Sequence, residues 1–294
     1  MNTVLAILLD IEGTTTSISF VHDVLFPYAK KHVGDYVRSH EAEVQDVLQQ
    51  IREIVGDVDL DGAIAALQQW MEQDKKITPL KTLQGMMWED GYKSGAFQGH
   101  LYKDAYDAMV SWKKQGIPLY IYSSGSVQAQ KLLFRYSCYG DLTYLFSGHF
   151  DTKVGDKKEQ SSYEKIAGEI GLPADSILFL SDVVEELDAA KKAGMQTTLL
   201  ARGNLHTTVH SFEQIDLPST PVDEIIRAGQ FLDKMGLCPA TGGNISVRAG
   251  ELVAITVSGK DKGELTPQDV LYVDFSGKSF NGCRRINMHG ICKT

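Results

Sequence analysis

The chain has 294 residues, 43% of them hydrophobic, and a formal net charge of −9, which is material for one large or two modest cores. The acidic excess lies in residues 1–221 while 222–294 are nearly balanced, so no basic stripe points to a nucleic-acid or anionic-membrane partner. Near the start the longest apolar run is too short to span a bilayer and no basic segment precedes it, and Cys138, Cys238, Cys283 and Cys292 show neither C-x-x-C spacing nor a disulfide framework, so a cytoplasmic protein is expected.

Val4-Leu5-Ala6-Ile7-Leu8-Leu9 is an unbroken apolar run that ends in Asp10-Ile11-Glu12-Gly13-Thr14-Thr15-Thr16. Such a run predicts a strand buried on both faces. It would deliver Asp10 to the C-terminal edge of a parallel sheet, where ligands bind. Two carboxylates one residue apart on a tight turn can serve one pocket, one as nucleophile or metal ligand and the other as acid or base. A buried strand followed by a solvated acidic turn is the alternative.

Residues 21–38, 42–54 and 61–73 repeat apolar positions at helical spacing, so a helical insertion is expected after the first strand. At its end, Lys81 to Tyr92 reads as a helix with a packed Trp88. A helix over 102–114 leads into a second strand, Leu119-Tyr120-Ile121-Tyr122, which ends at Ser123-Ser124-Gly125-Ser126 before a helix over 127–135. Hydroxyls and backbone N–H groups at a helix start form an anion cradle, or Ser126 is an ordinary N-cap. The loop Phe150 to Glu159 carries Lys153, Lys157 and Lys158, either a solvated surface or the source of one point charge for phosphate. A third strand, Ile177 to Leu180, ends at Ser181-Asp182 with Glu185 and Glu186 following, and a fourth spans Thr197 to Leu200. Alternating strand and helix predict an α/β fold with a doubly wound parallel sheet.

Asp10 and Glu12, Ser123 and Ser124, Lys157, and Asp182 thus fall at one sheet edge. Mg²⁺ suits two carboxylates plus a substrate phosphate. Asp10 could then attack phosphorus, with Glu12 protonating the leaving oxygen and later activating water. Ser123 and Lys157 would hold the transferring group.

This order of motifs resembles the haloacid-dehalogenase superfamily. Within it, Leu9 to Thr15, Ser19 to Ala29, Leu83-Gln84-Gly85 and Tyr122 to Val127 are similar to the enolase-phosphatase family of methionine salvage, with Glu12 where the superfamily more often has Asp. The resemblance covers about residues 3–216. It implies a phosphorylated diketone, 2,3-diketo-5-methylthiopentyl 1-phosphate, that is enolised and then dephosphorylated to the acireductone. It also implies one Mg²⁺ held by Asp10, Glu12 (through its backbone carbonyl) and Asp182, substrate held by Ser123, Ser124 and Lys157, and a helical cap over residues 16–100 that excludes water. A monomer is expected. The rivals are a general sugar-phosphate or phosphoglycolate phosphatase of the same superfamily and a non-catalytic metal-binding module.

Composition changes at residues 217–222, read as a linker with Pro218 and Pro221. Residues 223–275 resemble the start of methylthioribulose 1-phosphate dehydratase, of the class II aldolase-like family. That family holds zinc through several histidines, whereas only His289 follows residue 222 here, so no zinc site is expected within one copy. Residues 223–294 are therefore expected to be a partial α/β segment that breaks off midway, with 281–294 matching nothing interpretable.

Overall fold

The computed structural model describes residues 3–75, 77–200, 202, 211–215, 217, 220–237, 241–249, 252–277 and 279. His289, the stretch 281–294, Pro218 and the cysteines at 238, 283 and 292 lie outside the described residues.

The first strand, β1 (Ala6–Leu9), is buried at every position, and its alternating side chains feed two cores. Ile7 and Leu9 pack into one, Ala6 and Leu8 into the other, as the two-fold strand period requires. A helical excursion follows: α1 (Ile18–Phe20), a π-helical turn (Val21–Leu25), α2 (Phe26–Ser39), α3 (Gln45–Val55), α4 (Leu60–Glu72) and α5 (Thr78–Lys93). Its helices α2 to α5 enclose a separate core around Val33, Leu48, Leu67 and Leu83. Trp88 is packed as expected, its ring 6.1 Å from Phe26 and its Nε1–H donated to the Leu25 carbonyl at 2.9 Å. That carbonyl lies in the π-turn, where the wider hydrogen-bond ring leaves backbone groups to find other partners. The two ends of the excursion are pinned together: Ser17 N–H donates to His100 Nδ1 at 3.1 Å, and Thr16 Oγ1 donates to the His100 carbonyl.

The chain then returns through α6 (Lys103–Lys114), β2 (Leu119–Tyr122), α7 (Val127–Arg135), β3 (Phe146–Phe150), α8 (Gln160–Ile170), β4 (Ile177–Ser181), α9 (Val184–Lys192) and β5 (Gln196–Leu199). The sheet order is β3-β2-β1-β4-β5, with every neighbouring pair parallel. One strand of this sheet escapes sequence reading. β3 is an edge strand whose apolar pattern is interrupted by Ser147, Gly148 and His149, with only Phe150 fully buried, so no apolar run marks it.

The described residues between 220 and 279 form α10 (Pro221–Lys234) and an antiparallel meander, β6 (Ser246–Ala249), β7 (Leu252–Thr256) and β8 (Val270–Asp274). Helix α10 starts within the stretch read as a linker, because Thr220 and Asp223 form a capping box ahead of Pro221. Its buried side, Val222 and Ile225, joins Leu252, Ala254 and Val270 in a cluster that also takes in Leu5 and Leu172 of the larger body. Gly116, at φ 76°, approaches Pro267 too closely to carry a side chain. A chain ending after Leu217 would expose Leu5, at a cost of about 2 kcal/mol for a buried leucine. For a body of this size that lowers Tm by about 5 °C. Turnover per folded molecule is expected to be unchanged, since Leu5 and Asp10 lie at opposite ends of β1. An equal Tm for the two chains would show that the docked segment contributes no stability.

Candidate active site

The site is built at the C-terminal edge of the sheet. Asp10 follows β1 and continues its ladder, its N–H donating to the Leu180 carbonyl at 3.0 Å. The next residues curl into a tight turn in which the N–H groups of Thr14, Thr15 and Thr16 all point to the Ile11 carbonyl, and Gly13 adopts φ 81°. Gly13 is required twice over. A side chain would be strained at that φ, and its Cβ would collide with the Asp182 carboxylate.

Asp182 follows β4 and is brought to Asp10 by one hydroxyl. Thr14 Oγ1 lies 3.4 Å from Asp182 Oδ1 and 3.5 Å from Asp10 Oδ2, and it accepts the Asp182 N–H at 3.1 Å. Burial, and then the neighbouring Asp10, push the Asp182 carboxyl above its ordinary pKa. Two oxygen-donor carboxylates gathered on one hydroxyl fit a hard divalent cation. Among the described residues no three His, Cys, Asp or Glu side chains converge as a cage. An ion here would complete its shell from backbone carbonyl, substrate and water, the habit of Mg²⁺.

Lys157 is buried, with 6% of its surface exposed, and its Nζ lies 2.5 Å from Asp10 Oδ1 and 2.7 Å from Glu186 Oε2. The solvated-surface reading of this lysine is therefore excluded. Burial alone would lower its pKa, but Asp10 and Glu186 together outweigh that and raise it, so it stays charged. Glu186 is itself fixed by Ser181 Oγ–H at 3.0 Å. Burial, then Asp10, raise the Glu186 carboxyl, and Lys157 opposes the rise. Tyr163 donates to the Lys157 carbonyl at 2.7 Å and so anchors the backbone that presents the lysine.

Ser123 is buried at the end of β2, its N–H donating to the Phe150 carbonyl at 3.3 Å and its Oγ accepting the Gly125 N–H at 3.1 Å. Ser124 beside it is exposed. Ser126 caps α7 by accepting the Ala129 N–H at 3.2 Å. Glu12 is half-buried on the turn, its backbone bridged to Thr16.

Two side chains at this edge carry no clear mark in the sequence. Glu186 lies one helical turn beyond Asp182, a spacing that put it in view without assigning it a partner. Arg202 gives no sequence signal at all. Its Nε–H donates to the Thr14 carbonyl at 2.9 Å, its Nη1 pairs with Asp104 at 3.1 Å, and its guanidinium lies 3.7 Å from the centre of the Tyr102 ring. It therefore braces the turn behind the two aspartates. A cavity of about 230 Å³ opens there, lined by Gly13, Ser17, Ile18, Tyr102, Asp182 and Arg202.

Comparison with known proteins agrees with this architecture. Residues 4–194 match the haloacid dehalogenase-like hydrolase family, and residues 223–291 match the class II aldolase and adducin N-terminal domain. The enolase-phosphatase E1 of Pseudomonas aeruginosa strain UCBPP-PA14 is 58% identical over 221 residues, covering 72% of this chain and 98% of that protein. The Aquifex aeolicus enolase-phosphatase E1 is 49% identical over 220 residues, covering 72% and 99%. Among solved structures, the UTR4 protein of Saccharomyces cerevisiae superposes with a TM-score of 0.64 at 36% identity, covering 72% of this chain and all of that one. With its fold, the carboxylates at its sheet edge and relatives matched almost end to end, the chain is a phosphatase that belongs to the enolase-phosphatase family of haloacid dehalogenase-like hydrolases, followed by a class II aldolase-like segment.

Proposed function

We propose that residues 1–216, with a cap over about 16–100, convert 2,3-diketo-5-methylthiopentyl 1-phosphate into the acireductone 1,2-dihydroxy-3-keto-5-methylthiopentene and phosphate. The observation that carries this reading is Asp10, buried at the sheet edge with Lys157 Nζ 2.5 Å from Oδ1. A lysine so placed holds Asp10 Oδ1 and aligns the carboxylate, while Oδ2 lies on the Thr14 side of the turn, 3.5 Å from Thr14 Oγ1.

Enolisation moves a proton from C1 to the C2 oxygen without change in oxidation state. In the second step an Asp10 carboxylate oxygen bonds to phosphorus as the bond from phosphorus to the C1 oxygen breaks, and Glu12 delivers the proton that the departing oxygen needs. Glu12 then takes a proton from water, which attacks phosphorus and frees Asp10. Ser123 can donate its hydroxyl proton to a phosphoryl oxygen, because its own oxygen is already occupied as the acceptor of the Gly125 N–H. Ser124 and Lys157 complete the grip on the transferring group. Asp10, Asp182 and the Glu12 carbonyl would hold Mg²⁺, which when bound would supply Lewis-acid polarisation and positive charge beside the phosphoryl group. The cap excludes water from a product that is itself reactive.

The test is product analysis with the diketone phosphate, set beside simple sugar phosphates, phosphoglycolate and p-nitrophenyl phosphate in the presence of Mg²⁺. Acireductone and phosphate in equal amounts, at a kcat/KM well above that for the non-enolisable esters, are expected. Equal rates on all esters would leave a general phosphatase, and no turnover on any would leave a binding module.

A further inference from the structure

Behind the Ser123–Ser126 loop sits an amide with every polar group committed. Gln130, on the first turns of α7, is 1% exposed. Its Nε2 donates to the Gly125 carbonyl at 3.0 Å and to the Phe150 carbonyl at 2.8 Å. Its Oε1 lies 3.1 Å from His149 Nδ1. An amide oxygen can only accept, so the ring must donate, and the Gln130 orientation fixes His149 as the Nδ1–H tautomer. Burial, and to a lesser degree Lys131, lower the His149 pKa to about 4, so the ring is neutral at ordinary pH.

These contacts converge on the backbone of the cradle. The Phe150 carbonyl that takes one Gln130 proton also takes the Ser123 N–H. The Gly125 carbonyl that takes the other belongs to the residue whose N–H holds Ser123 Oγ. One side chain thus ties down both residues that orient the Ser123 hydroxyl. The next acid, Asp151, is also buried, and accepts the Val127 N–H at 3.3 Å and the Lys153 N–H at 2.9 Å. It joins the end of β3 to the start of α7 and to the loop that carries Lys157. The edge strand is thereby coupled to the cradle.

We propose that Gln130, set in place by His149, is a positioning residue for phosphoryl binding: it turns the Gly125 and Phe150 carbonyls inward and leaves the Ser123 hydroxyl aimed at the phosphate. The inference rests on the cradle role given above to Ser123. With the Gly125 carbonyl released and the Phe150 carbonyl held only by the Ser123 N–H, the loop can rotate a carbonyl oxygen towards the anion, which weakens ground-state and transition-state binding alike.

The experiment uses the full chain with Mg²⁺. KM and kcat are measured for p-nitrophenyl phosphate, with Ki for inorganic phosphate, in Gln130→Met, His149→Leu and Ser123→Ala. Gln130→Met keeps similar bulk and removes all three hydrogen bonds, so KM and Ki are expected to rise about tenfold with a smaller change in kcat. His149→Leu frees only the amide oxygen, and a rise of about two- to fourfold is expected. A residue that merely supports the fold would lower Tm and leave KM and Ki of the folded enzyme where they were. Unchanged Ki in Gln130→Met while Ser123→Ala raises it would overturn the role of Gln130. Unchanged Ki in all three would remove the cradle itself, and the inference with it. If Gln130→Met does not fold, His149→Leu decides alone: a Ki equal to the parent's overturns the proposal.

Discussion

An Asp10→Asn variant is expected to release phosphate at least about a thousandfold more slowly than the parent, while remaining folded. An amide oxygen is too weak a nucleophile to form the acyl-phosphate, and it is a poorer ligand for a hard cation. The surroundings, by contrast, tolerate it. Lys157 retains Glu186 at 2.7 Å as counter-charge, and an asparagine oxygen can still accept from Nζ. Thermal denaturation should therefore give a Tm within a few degrees of the parent, which separates a chemical loss from a folding loss. Turnover within tenfold of the parent would remove Asp10 as the nucleophile and return the acidic turn to a metal-holding role.

Replacing Lys157 by Met acts on both rate and stability. A point charge on the phosphoryl oxygens is lost, and removing one such preorganised group costs about a hundredfold or more in rate. The same change leaves Glu186, Asp10 and Asp182 clustered with their buried cation gone. Breaking a buried ion pair by deleting one partner costs about 3–5 kcal/mol, so a large fall in Tm is expected at neutral pH. The sign of its pH dependence follows from Glu186, whose carboxyl is raised by burial and by Asp10 with Lys157 as the opposing influence. A carboxyl with a raised folded-state pKa favours the folded chain fully below its unfolded value, and that support is lost as pH rises through the folded one. Without Lys157 the folded value climbs further, so the Tm gap between parent and variant should be wide at pH 8 and narrower at pH 5. A gap that stays constant across that range would show that the lysine stabilises by packing rather than by charge.

What each level of description could supply follows from the range of the forces involved. The apolar run at Val4 to Leu9 is buried on both faces of a central strand, and such burial admits no polar interruption. The strand and the acid at its end are therefore legible from adjacent residues alone. The helices inserted after β1 declare themselves for the same reason: one stripe of each must be apolar, and that stripe recurs every turn. The turn at Gly13 is equally local. A parallel α/β sheet with Asp10, Glu12, Ser123 and Asp182 at its C-terminal edge is thus legible in the sequence, and the order of those motifs carries the resemblance to the haloacid-dehalogenase superfamily. Lys157 is different. In the chain it is one of three lysines in a polar loop, and only folding across 147 residues brings its Nζ to Asp10. Thr14 reaches Asp182 over 168 residues, and Arg202 reaches Thr14 over 188. Such partners leave no periodic trace, because a single polar contact constrains neither the residue before it nor the one after. The edge strand β3 was hidden for a related reason: with one side unpaired and Ser147, Gly148 and His149 at its centre, its pairing is set by the ladder to β2 rather than by burial. Its last residues nevertheless hold Gln130, and through it the Ser123–Ser126 loop. The sequence by itself determined which chemistry the sheet edge carries; the tertiary structure alone decided which charges meet there, since long-range pairing is paid for by the whole fold and written in no short stretch of it.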